Sequence, residues 1–299
     1  MRHKSQIDIQ ERIPKIVHQL RIQAQNEQSL EIVKVVLLNL GHKENELVTS
    51  FAKTKPSLQL FNEDATKIQR FQKLFSRLDL AGVKVSHRRL LPKDWLTLWK
   101  TNWRPAPLTK KMDVVPVWYK DKYKPRRGCD AVFMDTLLSF GTGLHETTQF
   151  MAQFIENEQG RFKSFMDIGT GTGILGLMAL KYGAQSVCAI DIGELSVQAA
   201  RDNMRANQMY FNVQRADIGT YRSKKTYDFV AANLITEDLI EHKHKIIGFV
   251  KKNGLLAVSG ISLENLNKLR AAFSSLPLKV RKVSKGKQWS GLLFQRKTL

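Results

Sequence analysis

One short turn limits this chain more than any other stretch: Asp167-Ile168-Gly169-Thr170-Gly171-Thr172-Gly173. It follows Ser164–Ile168, which reads as a strand, and precedes Ile174–Lys181, which reads as a helix. Glycine at alternate positions lets the backbone turn tightly and come close to a ligand. The chain then keeps the same rhythm. Strands are read at Ser186–Asp191, Phe211–Arg215, Tyr227–Asn233 and Gly254–Gly260, with helices near Leu195–Ala206 and Glu237–Val250. These strands are nearly continuous apolar runs, as expected when both faces of a sheet are covered. Alternating βα units imply an α/β domain of the Rossmann-like class, with a mostly parallel, doubly wound sheet. Leu278–Val283 and Trp289–Gln295 read as an antiparallel pair at its end.

Asp191 stands at the tip of the strand after the glycine turn. A carboxylate there can accept both hydroxyls of a ribose. Two cofactors could use this arrangement, because Gly171-x-Gly173-x-x-Gly176 also satisfies the dinucleotide fingerprint. Three features favour S-adenosylmethionine over NAD. Asp167 and Gly169 can meet the ammonium and carboxylate of an amino acid, whereas a pyrophosphate wants no carboxylate beside it. Asp217, after the third strand, can accept from an adenine amino group. Asn233 ends the fourth strand at the same sheet edge, where open α/β sheets bind ligands. Gly171 and Gly173 complete the donor loop.

A second glycine-rich segment, Phe140-Gly141-Thr142-Gly143-Leu144-His145-Glu146-Thr147-Thr148, leads into a helix starting near Glu146. Position 149 is Gln, so the two-histidine spacing of a zinc protease is missing and no metal is expected. Its place ahead of the donor turn suggests a lid, with Phe140, Thr142 and Thr148 against the cofactor. As an alternative it is only a helix cap, with a threonine satisfying backbone donors. His145 is read chiefly as a packing residue of this loop, with proton acceptance as the alternative.

The N-terminal part reads strand, helix, strand, strand, helix, strand from Ile13 to about Leu90. Leu30, Ile32, Val33, Val36, Leu37 and Leu40 supply one helix and Gly41 its stop; Asp64 caps the next. Strands are expected at Leu47–Ala52 and Leu58–Phe61. That order is the split βαβ, ferredoxin-like α+β arrangement. Trp95, Trp99 and Trp103 recur every four residues and share one helix face, a packing stripe. Asp113–Tyr119 reads as a strand, and Lys120–Arg127 as a charged hinge. The expected division is therefore 1–92 for substrate recognition, 93–128 for a linker helix and strand, and 129–299 for the catalytic domain.

The chain of 299 residues has 48 Lys and Arg against 27 Asp and Glu, a net charge of +21. Its last 21 residues hold Lys279, Arg281, Lys282, Lys285, Lys287, Arg296 and Lys297 and no acid. Such a surface attracts phosphate backbones, so proximity to rRNA or the ribosome stands beside the alternative of a merely solvated surface. Cys129 and Cys188 cannot build a disulfide framework, which fits a reducing cytosol. No signal peptide or membrane-length apolar run is read, so a cytoplasmic protein without a membrane partner is expected.

Phe140-Gly-Thr-Gly-Leu-His-Glu-Thr-Thr148, the Asp167–Gly173 turn, Ala232-Asn233-Leu234 and Val258-Ser259-Gly260-Ile261 together resemble the bacterial ribosomal protein L11 methyltransferase family. The Asp94-Trp95…Trp99-Lys100…Arg104-Pro105 stretch and Trp118 are similar to its interdomain linker. The resemblance implies methylation of lysine side chains and the α-amine of a large-subunit ribosomal protein, which an N-terminal domain holds. It also implies S-adenosylmethionine as donor, bound at Thr148, Gly169, Asp191 and Asn233. Asn233 is then expected to orient the substrate amine. Leu-Ile-Thr follows Asn233 where the family usually has Ile-Leu-Ala, so the acceptor wall differs. An RNA methyltransferase and a non-catalytic ribosome-associated module remain as alternatives.

Overall fold

The computed structural model describes residues 17–39, 47–50, 56–62, 64–77, 82–90, 103–135 and 143–298. The chain forms two compact units, Met1–Trp103 and Arg104–Leu299.

In the N-terminal unit the elements are β1 (Val17–Gln23), α1 (Glu27–Asn39), β2 (Leu47–Ser50), β3 (Ser57–Asn62), α2 (Ala65–Arg77) and β4 (Lys84–Leu90). The sheet order is β2-β3-β1-β4, with every neighbouring pair antiparallel. Alternation in β1 sends Leu20 and Ile22 inward, where they meet Leu30, Val33 and Leu37 of α1 and Ile68 and Phe75 of α2. Asn26 and Asp64 start the helices by accepting from Ser29 N and Thr66 N, each at 2.8 Å. Ile32 departs from the expected helix face. It lies two positions from Leu30, on the far side of α1, and is 51 % exposed. Leu40, Gly41, Trp95 and Trp99 lie outside the described residues.

In the larger unit, β5 (Ala106–Pro107), β6 (Met112–Pro116) and β7 (Asp130–Met134) form a small sheet. The strand expected to reach Tyr119 stops at Pro116, and Val117–Tyr119 is a 3-10 turn. Proline has no N–H for the ladder. The Asp113 carboxylate accepts from Arg126 Nε at 2.8 Å and from the Tyr123 hydroxyl. Residues 113–127 are thereby tied into the larger unit, where the sequence suggested a linker running to residue 128.

The main sheet contains β8 (Ser164–Ile168), β9 (Ser186–Asp191), β10 (Asn212–Arg215), β11 (Tyr227–Asn233), β12 (Val250–Ser262), β13 (Leu278–Lys285) and β14 (Trp289–Arg296). Its order is β10-β9-β8-β11-β12-β14-β13. Pairs from β10 to β12 are parallel, and the β13–β14 hairpin closes the edge antiparallel. Its helices are α3 (Glu146–Asn157), α4 (Ile174–Lys181), α5 (Glu194–Asn207), α6 (Thr236–Glu241), α7 (Lys243–Gly248) and α8 (Leu266–Phe273). The single helix expected over 237–250 is two short ones. Phe249 O accepts from Tyr227 N at 2.8 Å, which draws the chain into the sheet at Val250. Phe162, Phe165 and Phe229 pack with ring centroids 5.2–5.9 Å apart under the sheet. Burying each such ring stabilises the fold by about 2–3 kcal/mol. Among the described residues no helix is long and apolar enough to cross a membrane.

Candidate active site

The chain runs outward from β8 to β9 and β10, then returns to place β11 on the other side of β8. Ligands of open α/β sheets bind beyond the strand ends at such a reversal. The glycine turn follows β8, Asp191 ends β9 and Asn233 ends β11. The fold therefore brings these three sequence-predicted features to one rim.

Gly169, Gly171 and Gly173 have φ of +73°, +54° and +80°. Residues with a Cβ disfavour that region. The turn is bonded to β9: Gly169 N and Thr170 N donate to Ile190 O at 2.9 and 3.0 Å. Gly171 N donates to Asp191 Oδ2 and Gly193 N to Asp191 Oδ1, both at 2.8 Å. Each carboxylate oxygen keeps a free lone pair. Asp191 is thus held by backbone in a pose that can accept two vicinal hydroxyls.

Asp167 is fully buried. Its Oδ2 accepts from Thr170 Oγ1 at 2.6 Å, while Oδ1 has no partner. Burial pushes its pKa up to about 7; the Thr170 hydroxyl opposes the rise and the charge of Asp191 adds to it. An orphaned buried carboxylate oxygen is unfavourable until a donor reaches it. Thr148 Oγ1, in the first turn of α3, is also buried without a partner. These atoms fit S-adenosylmethionine. Asp191 suits its ribose diol, Asp167 its ammonium, and Thr148 can donate to its carboxylate. A pyrophosphate would set negative charge beside Asp167, so the dinucleotide alternative does not fit. Asp217 is exposed, and its Oδ1 accepts from Gly219 N at 2.7 Å, closing its own turn. Phe140 and Thr142 lie outside the described residues. No His, Cys, Asp or Glu cluster able to hold a metal occurs among the described residues.

On the other side of the rim, His145 caps α3. Its Nδ1 accepts from Thr147 N at 3.4 Å and faces Thr147 Oγ1 at 2.8 Å. Burial lowers the imidazole pKa and so favours the neutral ring, outweighing the charge of Glu146, which raises it. Nδ1 then accepts, and the Thr147 hydroxyl spends its proton on it. The hydroxyl oxygen is left to accept from Asn233 Nδ2 at 3.3 Å. This relay fixes the amide of Asn233: its NH2 is bound to Thr147, so Oδ1 is the atom available to a ligand. Leu234 N donates to Ser259 O at 3.1 Å, and Gly260 lies so close that a Cβ would sit 2.1 Å from Leu234 O. Gly260 also has φ +87°, at a bulge of β12.

Glu146 holds the start of α3 to the β13–β14 turn. Its carboxylate accepts from the backbone N–H of Lys287, Gln288 and Trp289 at 2.9–3.3 Å. Trp289 meets His145 edge-on, with ring centroids 5.3 Å apart. Thr147, Thr170, Gly193 and Gly260 were not singled out by sequence reasoning as site residues. Thr147, Thr170 and Gly260 lie within the quoted motifs without being assigned a role, and Gly193 carried no signal.

A family model for ribosomal protein L11 methyltransferase (PrmA) matches residues 10–297. The ribosomal protein L11 methyltransferase of Pelobacter propionicus is 30% identical over 210 residues, covering 68% of this chain and 67% of the relative. That of Shouchella clausii is 27% identical over 222 residues, covering 74% and 70%. Among solved structures, a ribosomal protein L11 methylase from Lactobacillus delbrueckii subsp. bulgaricus matches with a TM-score of 0.61 and 28% identity. That match covers 66% of this chain and all of the other.

Proposed function

The chain belongs to the ribosomal protein L11 methyltransferase family, and from that premise we propose how its residues carry out the family reaction. It is an S-adenosylmethionine-dependent protein methyltransferase acting on amino groups of ribosomal protein L11. The observation that carries the site reading is the pair of buried orphans, Asp167 Oδ1 and Thr148 Oγ1, beside the anchored Asp191.

S-adenosylmethionine, when bound, supplies an electrophilic methyl on a sulfonium. Asp191 holds the ribose, Asp167 the ammonium, Thr148 the carboxylate, and Asp217 the adenine edge. The glycine turn, free of side chains at Gly169, Gly171 and Gly173, would let its backbone approach the donor's chain. Phe140 and Thr142 are proposed as further donor contacts. On the acceptor side, Asn233 Oδ1 receives a hydrogen bond from the substrate amine and aims the nitrogen lone pair at the methyl.

A lysine amine has an unperturbed pKa of about 10.4, so its neutral form at pH 7 costs roughly 5 kcal/mol. Burial and a neighbouring cation both reduce that cost. A strong base is then unnecessary, and the chain acts largely by positioning. Ile235 and Leu144, 58% and 47% exposed, adjoin the Asn233 loop and His145 in sequence. They can receive the aliphatic stem of a lysine. The N-terminal unit, residues 1–92 of the expected division, serves as the substrate-recognition domain, its element order being that of a ferredoxin-like module. Action on a ribosomal protein is expected in the cytoplasm.

The test is methyl transfer from labelled donor to purified ribosomal protein L11 and to a ribosomal lysate. Label lost to protease but surviving ribonuclease supports the reading. Label lost to ribonuclease, or none at all, defeats it.

A further inference from the structure

Outside the methyl-transfer site, the larger unit holds a second concave feature, a cavity of about 460 Å³ between α3, the β5–β6 turn and the edge strand β13. Lys110, Arg126 and Lys282 line it together with Gln149 and Gln153. The one acid in its wall, Glu156, is engaged: its Oε1 accepts from Thr109 Oγ1, Lys111 N and Tyr182 OH at 2.8–3.1 Å. Lys110 and Lys282 therefore face the opening as cations, with the amides of Gln149, Gln153 and Asn157 beside them, while Arg126 is paired with Asp113 and the carboxylate of Glu156 is held by neutral donors.

The register of the edge strand sharpens this. Val280 pairs with Phe294 and Lys282 with Leu293, so Arg281 is the extra residue of a bulge. In such a bulge two residues oppose one, and the strand locally bends. Arg281 and Lys282 together oppose Leu293. Gly291, two residues before Leu293 and so on its side of the sheet, lies where a Cβ would touch Phe150 and Phe154 of α3. The bulge thus sets two adjacent cations on the α3 side, next to the cavity, where a regular strand would alternate them. Arg281 is braced there by Gln295 Oε1 at 2.8 Å. Lys279, paired with Gln295, lies on the same side.

We propose that the groove between α3 and the bulged edge of β13 binds the phosphate backbone of RNA. Lys279, Arg281 and Lys282 on the α3 side of the strand, with Lys110 and amide donors in the cavity wall, outnumber the single acid Glu156 and suit consecutive phosphates without reading sequence. The choice of RNA as the polyanion rests on the proposed action on a ribosomal protein, because RNA is the polyanion that accompanies such a substrate.

The test titrates the full-length chain into labelled single-stranded RNA by fluorescence anisotropy across a range of salt concentrations. The comparison variant is the double substitution Arg281→Gln, Lys282→Gln. Each lost phosphate contact lowers the slope of log K against log salt by about 0.7 for single strands, so the variant should lose about 1.4 and bind about 25-fold more weakly at 0.1 M salt. Methylation of isolated ribosomal protein L11 and the melting temperature should stay at the parent value. Absence of RNA binding at 0.1 M salt, or equal affinity and slope in the variant, overturns the proposal. Because the methylation assay contains no RNA, its failure would count against the proposed function alone.

Discussion

The two halves of the active-site rim are held by different means. On the β8–β9 side, Asp191 is fixed by N–H groups of Gly171 and Gly193, and the turn itself by Ile190 O. Backbone holds backbone within a short stretch of chain. On the α3–β11 side, Asn233 is fixed by a hydroxyl 86 positions away, which His145 fixes in turn. Its loop rests on Gly260 of a further strand. The donor side is a local device that many chains can carry. The acceptor side exists only once distant segments have packed, and in the proposed mechanism it is the side that selects what is methylated.

The largest expected effect is on the acceptor half. Gly260→Ala drives a Cβ into Leu234 O at a residue with φ +87°. Strain and overpacking together should cost about 3 kcal/mol. The urea midpoint measures it, and a loss below 1 kcal/mol would mean that the Leu234 loop is not held by shape. Next comes the donor half. Asp191→Asn replaces an oxygen facing a backbone N–H with an NH2 group. Donor affinity should fall roughly 30-fold, or about 2 kcal/mol, the scale of a hydrogen bond to a charged group. Calorimetry reads this, and equal binding would remove Asp191 from the donor site.

Thr147→Val separates the halves. It should lower kcat about fivefold, near 1 kcal/mol for one neutral hydrogen bond, and leave donor affinity alone. Thr147→Ser should restore turnover. A change in donor affinity without one in kcat would put Thr147 on the wrong side of the comparison.

Beside these substitutions stands a pH dependence. Burial raises the Asp167 pKa to about 7 in the folded chain, above about 3.9 in the unfolded chain. The native state then binds the proton more tightly. The stabilisation from protonation is fully present below pH 4 and is lost as pH rises through 7 in the donor-free protein. Donor affinity should run the opposite way, because only the ionised carboxylate meets an ammonium. Asp167→Asn should flatten both curves, and parallel melting and binding profiles for the two proteins would exclude this role.

Legibility followed the same division. The strand–turn–helix context of Asp167–Gly173 and the acid one strand later are readable because their partners are near in sequence. Leu266, Leu269 and Phe273 already carry the helical spacing of α8, though the segment is short and went unassigned. The end at Gly248 of the helix expected over 237–250 was not readable, because Tyr227 draws Phe249 into the sheet. Ile32 shows the reverse error: it is grouped with the apolar residues at helical spacing, when its position two residues from Leu30 points it outward on α1.

From its sequence alone this chain was committed to a parallel α/β sheet with a glycine turn for a nucleoside donor, because periodicity and glycine act over a few residues. Tertiary structure alone decided which atom of Asn233 faces a ligand, that Asp167 keeps one oxygen unpaired, and that a bulge sets Arg281 beside Lys282. Hydrogen-bond polarity, burial and register are properties of segments that meet only after folding, so no local pattern encodes them.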